Sequence, residues 1–316
     1  MSAAPVPRLE LAGDSNAGTV REANQDSFFL ELTPNGALAL VADGMGGHVS
    51  GELASRKARD VLAQALWNYA SYPPLAMAEA VQRANLDIFD HAAANPGDRG
   101  MGTTLTVVLL DDQLALVGHV GDSRAYLVRE GAITQLTQDH SWVADRVRQG
   151  LLSGDEARRH GWRNIITNSL GTQPEVRLEL SALTLQAGDR LLLCTDGLSL
   201  LLPDELLLEV VAHTPPDEAV RELVRRAHER GSPDNVTALV ALVREVEARP
   251  KAYTLPLEMP VSVLLGEDDE GLASVEAAFP YRGRWAWLRR HPLWSYRGWL
   301  LGCALLLALF AFFSLR

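Results

Sequence analysis

Four aspartates, Asp43, Asp122, Asp196 and Asp234, share a placement that could do chemistry: the first three follow apolar runs and the fourth immediately precedes one. Each stands beside a small or amide residue, in Asp43-Gly44, Gly121-Asp122-Ser123, Asp196-Gly197 and Asp234-Asn235. Carboxylates fixed at strand ends offer the hard oxygen ligands that Mg²⁺ and Mn²⁺ take. Acids far apart in the chain, converging from rigid strands, are what a two-metal hydrolytic site requires. Taken singly, each is also an ordinary turn former, so the joint pattern carries the argument. The richest stretch is Val41-Ala42-Asp43-Gly44-Met45-Gly46-Gly47-His48, whose glycines let backbone approach a ligand closely or take positive φ.

The elements that must position these acids follow from apolar periodicity. Ala37 to Val41 reads as a buried strand ending at Asp43, and Phe28-Phe29-Leu30 as a strand before it. Thr103 to Leu110, Leu114 to Val120 and Arg124 to Val128 are strands whose short polar connections, Asp111-Asp112 and Gly121-Asp122-Ser123, imply antiparallel pairing. Arg190 to Thr195 and Val236 to Val243 add two more. Ala54, Ala58, Val61, Leu62, Ala65 and Leu66 form a helical stripe, and a second, with Ala80, Val81, Ala84 and Ile88, follows a break at Pro73-Pro74. Further helices open at Pro203-Asp204-Glu205 and Thr214-Pro215-Pro216-Asp217. Gly13 to Gly18 reads as a turn. The polar stretch 139–171 reads equally well as a mobile flap or an ordinary surface helical loop. His119, on an apolar strand, reads as a core residue.

Composition narrows the function class. A net charge of −11 over 316 residues argues against a nucleic-acid binder, which needs an excess of Lys and Arg. Two cysteines, Cys194 and Cys303, make no disulfide framework and fit a reducing compartment. The first residues lack the basic start and apolar stretch of a signal peptide. The other end differs. Gly298 to Leu315 is uncharged throughout and would span about 27 Å as a helix, just enough to cross a bilayer. Before it lie Arg282, Arg284, Arg289, Arg290 and Arg297 with Trp285, Trp287, Trp294 and Tyr296, the basic flank and aromatic belt of a cytoplasmic interface. The expected organisation is a catalytic domain over 1–247, a linker and basic, aromatic juxtamembrane segment over 248–297, and a transmembrane helix over 298–315. The localisation expected is single-pass membrane, with the catalytic domain facing the cytoplasm.

Eight ordered motifs carry a family resemblance: Arg21-x-x-Asn24-Gln25-Asp26, Asp43-Gly44-Met45-Gly46-Gly47-His48-x-x-Gly51-Glu52, Gly102-Thr103-Thr104, Gly121-Asp122-Ser123-Arg124-x-Tyr126, Leu136-Thr137-x-Asp139-His140, Asn168-Ser169-Leu170-Gly171, Thr195-Asp196-Gly197-Leu198 and Pro233-Asp234-Asn235-Val236-Thr237. In this order they resemble the metal-dependent 2C-type (PPM) protein serine/threonine phosphatases, most closely the bacterial branch. The resemblance implies an α+β fold, a four-layer αββα sandwich of two mainly antiparallel sheets with helices outside. It also implies a pair of Mn²⁺ or Mg²⁺ ions held by Asp43, the Gly44 carbonyl, Asp196 and Asp234. A third, weaker ion would be served by Asp122 with Asp196. The implied activity is hydrolysis of phosphoserine and phosphothreonine in proteins by a metal-bridging hydroxide, opposing a Ser/Thr kinase, with Arg21 gripping the phosphate through its planar fork.

Two positions depart from the animal pattern. Gln25 stands where many relatives carry Glu, removing one charge near the metal waters, and Met45 where animal members carry a histidine proposed as general acid. Gln25, Asp26, His48 and His160 are candidates for the layer around the ligands, with His48 and His160 also candidate proton donors, although His48 reads equally as a backbone-fixing loop residue and His160 as an exposed flap residue. Asn235-Val236-Thr237 matches a glycosylation sequon, but its position in the aspartate pattern marks that match as false. The competing class is a catalytically silent phosphoprotein-binding scaffold. Loss of Asp43, Asp196 or Asp234 would mark it, and all three are present.

Overall fold

The computed structural model describes residues 8–47, 49–69, 73–111, 114–246 and 257–260. Its centre is β3 (Gly36–Met45), whose segment from Ala37 to Ala42 is almost wholly buried. An unbroken apolar run of this kind is stable only as an interior strand covered on both faces. On one side β3 pairs antiparallel with β2 (Asp26–Thr33), and on the other with β5 (Leu105–Asp111) and the short β4 (Gly102–Thr103). The sheet continues through β6 (Leu114–Val120) and β9 (Arg177–Thr184) to β12 (Leu257–Pro260) at its edge.

The second sheet holds five strands in the order β1 (Arg8–Asn16), β11 (Val236–Glu245), β10 (Arg190–Cys194), β7 (Arg124–Arg129) and β8 (Ala132–Gln135). Its pairings are antiparallel as well. Between the sheets, Val41, Val117 and Ala37 meet Leu191, Leu193, Leu239 and Ala241 in one apolar cluster. Burying each such Val or Leu is worth about 1.5–3 kcal/mol. Outside the larger sheet lie α1 (Ser50–Leu66) and α2 (Pro73–Ala94), which pack on each other and on β2, β3, β6 and β9. Outside the smaller one lie α6 (Asp204–His213) and α7 (Pro216–Glu229), whose Leu207, Val211, Leu223 and Ala227 close a second cluster against Leu192, Cys194 and Val240. The four layers are those that the resemblance implies.

Several local expectations are corrected. The residues from Gly13 to Asn16 are not a turn but the end of β1, zipped to β11 from Gly13 opposite Leu239 to Asn16 opposite Val236. Pro73-Pro74 does not precede the second helix but opens it, since a helix tolerates proline in its first turn, where the N–H has no partner to lose. The Gly121-Asp122-Ser123 connection is not a hairpin: β6 and β7 lie in different sheets, and the chain crosses between them there, helped by Gly121 at φ 108°. Asp43 lies within β3 rather than past its end, and Asp196 opens a short helix, α5 (Asp196–Ser199), so the two Asp-Gly pairs differ locally. The stretch 139–171, called the flap below for its place in the chain alone, is helical as one of its two readings expects: it holds α3 (Trp142–Arg148) and α4 (Gly154–Arg159), capped by Ser141 and by a Ser153–Glu156 capping box. Part of the expected linker is the edge strand β12, paired with β9. No helix among the described residues is long and apolar enough to cross a membrane, and the segment 298–315 lies outside them.

His119 is a core residue, as its strand suggests. Its ring is fully buried, with Thr106 Oγ1 2.9 Å from Nδ1 and the Gln138 carbonyl 3.2 Å from Nε2. Burial pulls its pKa down to about 4, and burial likewise lowers that of His140, whose ring centroid lies 4.9 Å away. A histidine held neutral below its unfolded pKa binds fewer protons when folded, so its stabilising contribution is complete above about pH 6.5 and is lost as pH falls. Urea titrations of the metal-free chain should show His119→Gln losing less stability than the parent between pH 7 and pH 5, the difference being about 2 kcal/mol at pH 5. Parallel pH profiles would contradict a buried neutral ring.

Candidate metal centre

Asp43 is held by its backbone before its side chain does anything. Its N–H donates to Thr104 Oγ1 at 2.9 Å, and its carbonyl accepts from Thr104 N–H at 2.9 Å and Thr103 Oγ1 at 2.8 Å. Thr103 is in turn bridged to Leu170 by a pair of backbone hydrogen bonds, which ties Asn168-Ser169-Leu170-Gly171 to the same strand end. Asn85 on α2 completes the brace: its side chain accepts from Gly171 N–H at 2.8 Å and donates to the Gln173 and Pro174 carbonyls. Gly44 has a different constraint. A Cβ there would sit 2.1 Å from the Gly51 carbonyl, so the start of α1 can lie against β3 only if both positions lack a side chain.

Asp26 sits opposite Asp43 in the β2–β3 ladder. Its Oδ2 accepts from Thr195 Oγ1 at 2.9 Å and Thr237 Oγ1 at 2.6 Å, reaching from the larger sheet to the ends of β10 and β11. Asn235 adds a second clasp: it accepts from Gln25 N–H at 2.8 Å and donates to the Ala17 and Ala23 carbonyls. Its amide is buried and fully used, so the sequon is a structural asparagine.

Five carboxylates meet at this seam, and the shifts of four of them show it. Burial raises Asp26 to about 7 and Asp196 to about 6, each pushed further by neighbouring acids, while hydroxyl donors partly offset the shift at Asp26 and a hydrogen bond with Asp43 does so at Asp196. Asp43 and Asp122 are raised well above the ordinary carboxylate range, first by burial and then by the facing acids. Arg21 relieves one member of the group: its guanidinium lies 2.9 Å from Asp234 Oδ2, and that contact raises its own pKa. Among the described residues no three acid, imidazole or thiol side chains form a tight ready-made ligand cluster.

The donor set nevertheless fits a divalent cation. Asp26 Oδ1, Asp122 Oδ1 and Asp196 Oδ1 are buried without a hydrogen-bond partner, a costly state for a carboxylate unless something positive is to sit beside it. Every side-chain donor here is a carboxylate oxygen, which suits Mg²⁺ or Mn²⁺ and not a soft metal.

A scan of family models matches residues 14–249 to Protein phosphatase 2C. The chain belongs to the protein phosphatase 2C family. It is 38% identical over 264 residues to the serine/threonine protein phosphatase PstP of Mycobacterium tuberculosis, covering 83% of this chain but 49% of that protein, so it spans about half the length of this relative. The serine/threonine phosphatase stp of Listeria monocytogenes is 32% identical over 234 residues, covering 72% of this chain and 92% of that one. Among solved structures, the PstP catalytic domain in complex with two manganese ions superposes with a TM-score of 0.68 at 37% identity, over 75% of this chain and 99% of that one.

The residues expected from the sequence fall into distinct places. Asp43, Gly44, Asp122, Asp196, Asp234, Arg21, Gln25 and Asp26 all belong to the seam or its immediate hydrogen bonds. His48 lies outside the described residues. His160 stands apart from the carboxylates: it stacks on Trp142 at 5.0 Å and accepts from Trp162 N–H through Nδ1, within the flap's own aromatic group. The sequence reading missed Thr104, Thr195, Thr237 and Asn235 as holders of the acids, although each stands inside one of the eight motifs. A hydroxyl beside a strand-end acid was the available signal.

If the acids are strained for want of a cation, Asp196→Asn should stabilise the metal-free chain at pH 7.5 by about 1–2 kcal/mol. The sign follows from the raised pKa: the charged carboxylate costs stability above pH 6, and the gain should vanish near pH 4. The same variant should lose most of the rise in thermal midpoint that Mn²⁺ gives the parent. Scanning calorimetry at the two pH values, with and without Mn²⁺, measures both effects.

Proposed function

We propose that this chain is a metal-dependent protein phosphatase acting on phosphoserine and phosphothreonine in proteins, tethered to a membrane by its C-terminal segment. The observation that carries the enzymatic part is the group of unpartnered carboxylate oxygens on Asp26, Asp122 and Asp196, gathered where both sheets end. Asp43, the Gly44 carbonyl, Asp196 and Asp234 would hold the ions, with Asp122 and Asp196 serving a third. When bound, Mn²⁺ or Mg²⁺ supplies charge neutralisation at the phosphoryl oxygens and a hydrolytic nucleophile at neutral pH.

The chain's own groups have clear parts. Thr103 and Thr104 fix the Asp43 backbone, and Thr195 and Thr237 fix Asp26, so the carboxylates do not reorganise during reaction. Arg21 is exposed at the seam and free to exchange its single contact with Asp234 for two phosphate oxygens. Met45 carries no proton, so the leaving hydroxyl must be protonated by another donor at the site. The membrane part rests on the uncharged run 298–315 and the arginines and tryptophans before it. A Ser/Thr kinase working on the same phosphoproteins would be the opposing partner.

Hydrolysis of a phosphothreonine peptide by the full chain should require Mn²⁺, stop with chelator, and fall at least a hundredfold in Asp196→Asn. Arg21→Ala should raise KM by about tenfold, a loss of charge-assisted contacts to phosphate. A folded, metal-loaded chain that binds phosphopeptide without turnover would instead establish the scaffold. For the tether, the full chain should stay in the membrane pellet after carbonate washing, and a chain ending at residue 290 should be released.

A further inference from the structure

A cavity of about 470 Å³ opens from Asp122 and Asp196 beneath the flap, a volume in the range of ligand sites. Its middle is apolar, with Val143, Ala144, Val147 and Ala157 on the flap side and Leu200 opposite. Four arginines line it, and they are not alike. Arg124 makes a two-pronged contact with Asp139, at 2.9 and 2.6 Å, and Arg148 is paired with Asp145. Arg158, at the end of α4, and Arg163, just beyond it, are exposed and have no ion-pair partner among the described residues.

Arg83, Arg99 and Arg159 also lack an ion pair among the described residues, so what sets Arg158 and Arg163 apart is their place in the wall of the cavity that holds Asp122 and Asp196. On α7, by contrast, Arg221, Arg225 and Arg226 are all paired, with Asp217, Glu222 and Glu209. Asp204, in the first turn of α6, stands among the residues of the opposite wall, where the helix N-terminus favours it. The unpaired positive charge therefore lies on the flap side, since Arg124 on β7 is paired with Asp139. An extended peptide with its phosphorylated residue at the carboxylate seam would lay neighbouring residues along the apolar floor and pass these two guanidiniums.

We infer that Arg158 and Arg163 form a specificity subsite for acidic side chains, carboxylate or phosphorylated, flanking the target residue of the phosphoprotein substrate. The inference rests on the phosphatase reading above. Exposed ion pairs are individually weak, so two acidic neighbours should give a preference of about three- to tenfold, expressed mainly in KM.

The test uses the full chain with Mn²⁺ and three substrates: a phosphothreonine peptide with two glutamates beside the phosphorylated residue, its alanine counterpart, and p-nitrophenyl phosphate. The parent should favour the acidic peptide in kcat/KM, and the preference should shrink in 0.5 M salt as screening grows. Arg158→Ala with Arg163→Ala should abolish the preference while leaving kcat/KM for the alanine peptide and for p-nitrophenyl phosphate within twofold. Arg158→Lys with Arg163→Lys should keep part of it. Equal rates on the two peptides in the parent, or an unchanged preference in the double alanine variant, would overturn the inference and leave the phosphatase reading standing. No hydrolysis of any of the three would overturn both.

Discussion

Carboxylates cannot all ionise at one buried seam without a counter-charge, and much of this structure is arranged around that constraint. Burial first, and then neighbouring acids, raise the pKa values of Asp26, Asp43, Asp122 and Asp196: Asp196 acts on Asp26, Asp43 and Asp122, and Asp234 on Asp26, Asp43 and Asp196. Among the described residues, Arg21 makes its ion pair with Asp234, and Arg124, itself paired with Asp139, offsets the shift at Asp122 only in part. An unpaired buried acid costs several kcal/mol, and evolution has no packing reason to place several together. The cost makes sense where a multivalent cation is to be bound.

The fold supplies the rigidity that such a cluster needs. Each acid comes from a different strand or crossover, and the two sheets are joined where the acids meet, by Asp26 to Thr195 and Thr237 and by Asn235 to Gln25. The flap enters the same framework at both ends. Its first stalk joins the Gly121 turn through His140, whose N–H donates to the Gly121 carbonyl at 2.7 Å, and its second joins β4 through Leu170. Helices α3 and α4 are thus anchored to the crossover that carries Asp122 and to the strand β4 beside the end of β3, which carries Asp43.

Much of this was legible before any coordinates. Strands β3, β5, β6, β10 and β11 and the helices α1, α6 and α7 are marked by apolar period and by caps, because each packs one face or both against a core. The acids were visible as strand-end carboxylates. What the sequence hid was placement that depends on distant partners. β1 looks like a turn, since Gly13 to Asn16 is polar, and only β11 makes it a strand. The Gly121-Asp122-Ser123 connection looks like a hairpin, since nothing local says that the next strand belongs to the other sheet. The supporting hydroxyls of Thr104, Thr195 and Thr237 were hidden for the same reason: their partners lie 61, 169 and 211 residues away. The family resemblance supplied the two-sheet architecture that periodicity alone does not specify.

The central claim is that the acid cluster is a site for divalent cations rather than a structural polar core. Calorimetric titration of Mn²⁺ into the metal-free full chain at pH 6, repeated in buffers of different ionisation enthalpy, tests it most directly. The account predicts at least two ions per chain, with net proton release as acids held above their ordinary pKa give up protons to the metal. A well-folded chain that binds less than one ion, or binds Mn²⁺ without releasing protons, would contradict it.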